Sequence, residues 1–314
     1  MDKPILYIVV PCYNEAPVIY ETAKRLKEKL DDLIKKESIS ENSFILFVDD
    51  GSKDATWEYI KIIHKTNSLV KAIKLSHNRG HQNALLAGLM SAKDSADIVI
   101  SMDADLQDDI NAVDEFIEKY KEGNDIVYGV RCSRKNDTFF KRTSAQMFYR
   151  LMKVFGVDIV YNHADYRLMS KRAVEALSEY KETNLFLRGL VPLLGYKSAT
   201  VEYERSERFA GVSKYPLKKM LRFAFDGITS FSTSLIRFVT LLGFGIVGIS
   251  IIMMIYYIIL KATGKTVLGW ATIVCSIWLL GGVQLLCIGL IGEYIGKIYS
   301  EIKQRPRFNI EETL

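Results

Sequence analysis

The sequence predicts an α/β domain, a mostly parallel sheet with helices on both faces, followed by two apolar segments long enough to cross a bilayer. Three observations carry this. Short apolar runs alternate with helical stretches from Ile5 to Gly129, each run ends in a polar cluster, and charge nearly vanishes after Arg237. Alternating strands and helices of this spacing build parallel sheets wrapped by helices.

Ile5–Val10 reads as the first strand, and Pro17 opens a helix running to Lys36. Phe44–Val48 is the second strand, with a helix from Ala55, and Val70–Leu75 is the third, with a helix over Ala84–Ala92. Ile98–Met102 and Ile126–Gly129 complete the series. In such sheets ligands bind beyond the carboxyl ends of the strands. Pro11-Cys-Tyr13-Asn14-Glu15, Asp49-Asp50-Gly51-Ser52, Asn78-Arg79-Gly80 and Asp103-Ala-Asp105-Leu-Gln107 all fall there.

Two uncharged runs follow the domain. Phe238–Leu260 makes about 35 Å of helix against a hydrocarbon core of about 30 Å. Val267–Ile291 is the second, and Lys261–Thr266 is the turn between them. Lys218, Lys219, Arg222 and Arg237 precede the pair and Lys297, Lys303, Arg305 and Arg307 follow it. The excess of basic residues on cytoplasmic loops therefore puts residues 1–215 and the basic tail 293–314 on the cytoplasmic face of the plasma membrane. Two amphipathic segments with basic polar faces, 139–155 and 216–236, suit the interface. Gly243-Phe-Gly245-Ile-Val-Gly248 matches a dinucleotide fingerprint, but it lies inside an apolar run with no strand before it, so helix packing explains it better. Gly292 and Gly296, four apart, offer another place for close helix packing, which leaves self-association into a homo-oligomer open.

Composition narrows the classes further. A net charge of +5 selects no partner by itself, and no basic stripe interleaved with stacking aromatics supports nucleic-acid binding. Cys12, Cys132, Cys275 and Cys287 show no metal-ligand spacing, so reduced structural cysteines are expected.

The clusters imply a chemistry. Asp103 and Asp105 are two apart, so in an extended segment both carboxylates point one way, and Gln107 continues the series with a neutral oxygen. That set suits Mg²⁺ or Mn²⁺ with positions left for phosphate oxygens. Asp49 and Asp50 can accept hydrogen bonds from ribose hydroxyls or a base N–H. Tyr13 offers a ring for stacking, while Asn14 and Glu15 offer polar groups to read a base edge.

Val10-Pro-Cys-Tyr-Asn-Glu15, Val48-Asp-Asp-Gly-Ser52, Asn78-Arg-Gly-His-Gln82 with Ala87-Gly88, and Asp103-Ala-Asp-Leu-Gln107 resemble family 2 glycosyltransferases of the GT-A fold. Asp165-Tyr-Arg-Leu168, Phe186-Leu-Arg-Gly189, Arg208-Phe-Ala-Gly-Val-Ser-Lys-Tyr215 and the C-terminal hairpin resemble the bacterial polyisoprenyl-phosphate branch, relatives of dolichol-phosphate mannose synthase. The resemblance implies that Pro11, Tyr13, Glu15 and Asp50 hold the nucleotide-sugar, with Asn14, Asp49, Arg79, Asp103 and Ala104 around it. It implies a metal on Asp103, Asp105 and Gln107. Arg208, Ser213 and Lys214 would close over donor diphosphate and acceptor phosphate, and Arg131, Arg134 and Arg142 would clamp the lipid phosphate. Asp165 aligns with an acidic position near the acceptor. The implied donor is UDP-glucose or UDP-N-acetylglucosamine and the acceptor a polyisoprenyl phosphate in the membrane, with inversion at the sugar. Two rivals remain: a processive polysaccharide synthase, which would carry a Gln-x-x-Arg-Trp motif that this chain lacks, and a non-catalytic scaffold, which would tolerate loss of the two aspartates.

Overall fold

A computed structural model describes residues 3–132, 163–183, 185–204, 234–263 and 269–314. The chain divides into a sheet-bearing unit (Met1–Arg150, Asp158–Pro216 and Gln304–Leu314) and a helical unit (Leu151–Val157 and Leu217–Lys303). The amphipathic segments expected at 139–155 and 216–236 lie outside the described residues, apart from the last few positions of the second.

The sheet-bearing unit begins with β1 (Leu6–Cys12), α1 (Ile19–Lys35), β2 (Phe44–Asp49), α2 (Thr56–Thr66), β3 (Val70–Leu75) and α3 (His81–Ala92). It continues with β4 (Ile98–Ser101), α4 (Ala112–Lys121), β5 (Ile126–Arg131) and β6 (His163–Ser170). α5 (Lys171–Ser178), α6 (Leu187–Leu193), β7 (Ser198–Tyr203) and, far along the chain, β8 (Ile310–Thr313) complete it. The sheet order is β7-β5-β6-β4-β1-β2-β3-β8. β4, β1, β2 and β3 run parallel, β6 runs antiparallel to both β4 and β5, and β8 runs antiparallel to β3. This is the mixed α/β sheet of the GT-A type.

Local sequence explains the central elements. β1 is buried along its whole length, as a strand covered on both faces must be, and it reads as one apolar run. α1 buries Ile19, Ala23, Leu26, Leu30 and Leu33, a stripe at three- and four-residue intervals, and its one buried lysine, Lys29, pairs with Asp114. The order reverses between β1 and β4, because β2 and β3 lie on one side of β1 while the chain returns to β4 on the other. A crevice at the carboxyl ends of strands follows from that reversal.

α3 approaches this crevice closely because Gly88 has no side chain. A Cβ at that position would stand 2.3 Å from Val9 Cγ1 and 2.8 Å from Val48 Cγ2, so β1 and β2 touch the helix backbone there. The consequence is that His81 and Gln82, at the first turn of α3, sit against the strand ends.

Ile310–Thr313 belongs to the sheet, whereas the sequence assigns 293–314 to a basic tail. Trp57 Nε1–H donates to Glu312 Oε2 at 2.9 Å, Lys74 pairs with Glu311 at 3.0 Å, and Leu314 packs against the core. Four residues with two adjacent acids give no strand signal by themselves, and the pairing comes from β3, whose Lys74 meets them.

In the helical unit, α7 (Ser234–Ala262) and α8 (Trp270–Ile302) fall where the two apolar runs were expected. Among the described residues one stretch, Leu279–Ile302, is long and apolar enough to cross a membrane. Val239–Met253 in α7 is a shorter apolar stretch. Leu285 and Leu286 are 71% and 77% exposed, so α8 presents large apolar side chains at its surface.

The Gly88 contact can be tested. Gly88→Ala should destabilise the protein by about 1–3 kcal/mol through overpacking, visible as a lower thermal midpoint in detergent, and Val9→Ala should restore part of it.

Candidate active site

The loops at the carboxyl edge have little secondary structure, so side chains hold them. Asn14 has a positive φ of 56°, its amide donates to Ser52 Oγ at 2.9 Å, and its side-chain oxygen accepts from Lys53 N at 2.9 Å. Glu15 N donates to Thr56 Oγ1 at 2.9 Å. The loop after β1 and the loop after β2 are thereby one piece. Gly51, with φ 66°, brings that piece against the loop after β3, where a Cβ would stand 2.7 Å from the His77 backbone.

Asp50 ties in the third loop. Its Oδ1 accepts from Arg79 N at 2.7 Å and its Oδ2 from Gly80 N at 2.9 Å. Burial pushes the Asp50 carboxyl up, and these two amides pull against that without cancelling it. Asp49 is fully buried behind it. Its Oδ2 accepts from Ser52 N at 3.2 Å, its Oδ1 has no hydrogen-bond partner, and burial raises its carboxyl too. The fourth loop is pinned by α1, whose Thr22 Oγ1–H donates to Ala104 O at 2.8 Å.

These loops enclose a cavity of about 270 Å³. Pro11, Tyr13, Glu15 and Asp50 line one side, and Asp103, Ala104 and Asp105 line the other. Seven of the residues expected from the sequence thus meet around one space. Asn14, Asp49 and Arg79 do not line it and instead brace the loops that do. Gln107 is buried, and its backbone N–H donates to Asp105 Oδ1 at 3.2 Å. The lining also includes Cys12, Asn78, Gly80, His81 and Ala84. The sequence shows His81 only within the motif Asn78–Gln82 ahead of a helix expected from Ala84, because nothing local says that α3 carries it onto Asp103.

The donor set fits a hard divalent cation. Asp103 and Asp105 are partly exposed carboxylates at the cavity wall, and two such oxygen ligands completed by phosphate and water are what Mg²⁺ or Mn²⁺ takes. Among the described residues no group of three or more His, Cys, Asp and Glu side chains is gathered for a metal, so a cation here would draw its other ligands from what binds beside it.

Next to Asp103 the charges form a chain. His81 Nε2–H donates to Asp103 Oδ1 at 3.0 Å, and His81 Nδ1 lies 4.0 Å from Asp165 Oδ2. Burial pushes His81 down and Asp103 up, but their contact wins, raising the imidazole and lowering the carboxyl. Asp165 is buried on β6. Arg167 Nη2 donates to it at 2.8 Å, and Arg188 Nε and Nη2 donate at 3.1 and 3.0 Å. Burial pushes Asp165 up, but Arg188, then Arg167 and His81, hold it well below the usual carboxylate range.

A second cluster joins the ends of β5 and β7 to the loop after β4. Tyr203 O–H donates to Asp108 Oδ1 at 2.6 Å, Arg131 Nε–H donates to Tyr203 Oη at 3.3 Å, and Arg131 lies 3.9 Å from Asp108. Burial, with Asp103 adding repulsion, pushes the Asp108 carboxyl up to about 6. Arg134, Arg142, Arg208, Ser213 and Lys214 lie outside the described residues.

Comparison with known proteins assigns the chain. Residues 7–178, covering every strand from β1 to β6, match Glycosyl transferase family 2. The chain belongs to that family. It is a glycosyltransferase, 59% identical to the uncharacterized glycosyltransferase YkoT of Bacillus subtilis over 99% of this chain and 92% of that protein. It is 40% identical to the SfII prophage-derived bactoprenol glucosyl transferase of Shigella flexneri over 98% of this chain and 97% of that protein. A solved mannosyl-3-phosphoglycerate synthase of Rubrobacter xylanophilus overlaps 71% of either chain at 16% identity and a TM-score of 0.49, too slight a likeness to argue from.

The ionisation of Asp165 gives a pH test for this glycosyltransferase. A lowered folded pKa stabilises the fold above the unfolded value, about 4, and that contribution is lost only as pH falls through the folded value. Asp165→Asn leaves buried Arg167 without its charge partner and should cost roughly 3–5 kcal/mol. The loss should not shrink between pH 8 and pH 5 in thermal melts, and should grow as pH falls and His81 takes up a proton beside Asp165. A gap that closes already on going from pH 8 to 6 would show that the carboxyl titrates near neutrality.

Proposed function

We propose that this glycosyltransferase moves a hexose, glucose or N-acetylglucosamine, from its UDP-sugar to a polyisoprenyl phosphate at the cytoplasmic face of the plasma membrane. The observation that carries the reading is near full-length identity of 40% with a bactoprenol glucosyl transferase. The cavity under Asp103 and Asp105 and the exposed apolar side chains of α8 are what such a reaction needs: a place for a nucleotide-sugar and a means of meeting a lipid. In this reading α7 and α8 form a two-span hairpin, with the sheet-bearing unit and the tail on one side.

In the reaction an acceptor phosphate oxygen attacks the anomeric carbon from the face opposite the leaving group. The bond between that carbon and the β-phosphate oxygen breaks, UDP departs with the electron pair, and the sugar is inverted. A lipid phosphate is already anionic near neutral pH, so no strong base is required and alignment is the main task of the protein. Asp165, ionised and held by two arginines, is poorly suited to taking a proton. Tyr13 and Pro11 flank the base, with Glu15 and Asp50 beside the nucleoside. Asp103 and Asp105 would hold Mg²⁺ or Mn²⁺, which supplies positive charge at the diphosphate as negative charge develops there. Arg131 serves the acceptor phosphate, and Arg134, Arg142, Arg208, Ser213 and Lys214 are assigned to the same anionic region.

The decisive experiment incubates membranes containing the protein with labelled UDP-glucose, UDP-N-acetylglucosamine and GDP-mannose and extracts the lipid. Label should enter an acid-labile polyisoprenyl monophosphate sugar from one of the UDP donors. Asp105→Asn should lower transfer on the order of 10³-fold while the protein stays folded and membrane-bound. Label appearing in a polymer, or full activity in excess chelator, would overturn the reading.

A further inference from the structure

His81 lines the cavity beside Asp103, Ala104 and Asp105, yet no step of the transfer calls on it. Its ring is delivered there by a turn that is held firmly. Gly80, with φ 85°, redirects the chain so that α3 starts at His81. Arg79 N and Gly80 N both donate to the Asp50 carboxylate, which fixes this turn on the end of β2. The next residue, Gln82, accepts from Leu187 N through Oε1 at 2.9 Å, so the first turn of α3 is also tied to α6.

The two acids at the cavity wall are oriented by different means. Asp105 Oδ1 accepts from Gln107 N at 3.2 Å, a bond within its own loop. Asp103 takes its bond from another element, with His81 Nε2 standing 3.0 Å from Oδ1. An ionised carboxylate can only accept, so Nε2 carries the hydrogen. Among the described residues this is the one hydrogen bond to the Asp103 side chain, and it engages Oδ1 alone. Oδ2 is thereby left for a cation.

The other ring nitrogen does not compete for this role. His81 Nδ1 lies 4.0 Å from Asp165 Oδ2, too far for a hydrogen bond, and Asp165 is already engaged by Arg167 and Arg188. The directional contact of the ring is the one to Asp103. The Asp103 side chain is 37% exposed, so without that contact its carboxylate could turn against water about a broad terminal torsion. Fixing it before the metal arrives removes an ordering cost from binding. Partners of this kind typically change metal affinity by about 10- to 100-fold.

We propose that His81 is a positioning residue for the divalent cation: its Nε2–H holds Asp103 Oδ1 and leaves Oδ2 to the metal. The proposal rests on the cation reading above and adds to it the side chain that orients one of the ligands.

In the test, Mn²⁺ is titrated into the full chain in detergent at a fixed concentration of UDP, and free Mn²⁺ is read by EPR. His81→Phe keeps a ring without the donor and should weaken Mn²⁺ binding about tenfold or more. His81→Gln places an amide N–H near the position of Nε2 and should stay within about threefold of the wild type. UDP binding in EDTA, followed by NMR, should be unchanged in both variants. Excess Mn²⁺ should restore turnover of His81→Phe, because the defect lies in the metal requirement. An unchanged Mn²⁺ affinity in His81→Phe would overturn the proposal, and so would a tighter one, which would make His81 a competitor of the cation. A glutamine variant as weak as the phenylalanine variant would show that the hydrogen bond is not the cause. Mn²⁺ and metal-free UDP binding weakening together would reduce His81 to a support of the cavity. Each of these results leaves the Mn²⁺ binding of the wild type, and so the proposed function, standing. A wild-type protein that binds no Mn²⁺ with UDP present would overturn this proposal and the metal-dependent reaction together.

Discussion

Asp50 accepting the amides of Arg79 and Gly80 is the tie on which the site depends. It joins the end of β2 to the start of α3, and α3 is the element that delivers His81 and Gln82. Without it the loop after β3 would have two inward-facing amides needing partners, and the first turn of α3 would lose its fixed distance from β2. The same economy recurs at Asn14, Ser52 and Thr56, where polar side chains substitute for absent ladder bonds. Several acids and amides at the strand ends are therefore structural braces, and the groups turned to the cavity are those left over after the loops are secured.

Electrostatics then divides the acids by task. Asp103 and Asp105 remain partly open and keep oxygens for a cation. Asp165 is enclosed by arginines and stays negative, which fixes those arginines and keeps it from acting as a proton acceptor. Asp108 is more finely balanced, since burial opposes its ionisation while Tyr203 and Arg131 support it. One short region of sheet thus holds carboxylates with different affinities for protons, and the differences arise from how much positive charge each one faces.

The parallel core and its carboxyl-end clusters were legible because apolar runs and polar breaks recur with the period of a wrapped sheet. β6 was not read as a strand. Residues 165–170 are buried on both faces, and Asp165 and Arg167 interrupt the continuous apolar run that marks such a covered strand. β7 is half exposed and short, and β8 exists only through its partner. At the site, the residues on one loop each were legible from local motifs. Asn14, Asp49 and Arg79 also take part in hydrogen bonds between loops, which no local motif encodes. Arg188 was visible as part of a motif, but its bond to Asp165 joins residues on different elements, which no local pattern encodes.

β8 also sets an order of events in synthesis. Its residues follow both long apolar helices in the chain, so β3 stays an open edge while those helices are being made. The final strand can close the sheet only on chains whose helices have already emerged in full. A ribosome that stops within α7 or α8 releases a domain with an unpaired flank and with Trp57 lacking its carboxylate. Such products display an unpaired edge strand, the kind of surface on which other chains can pair.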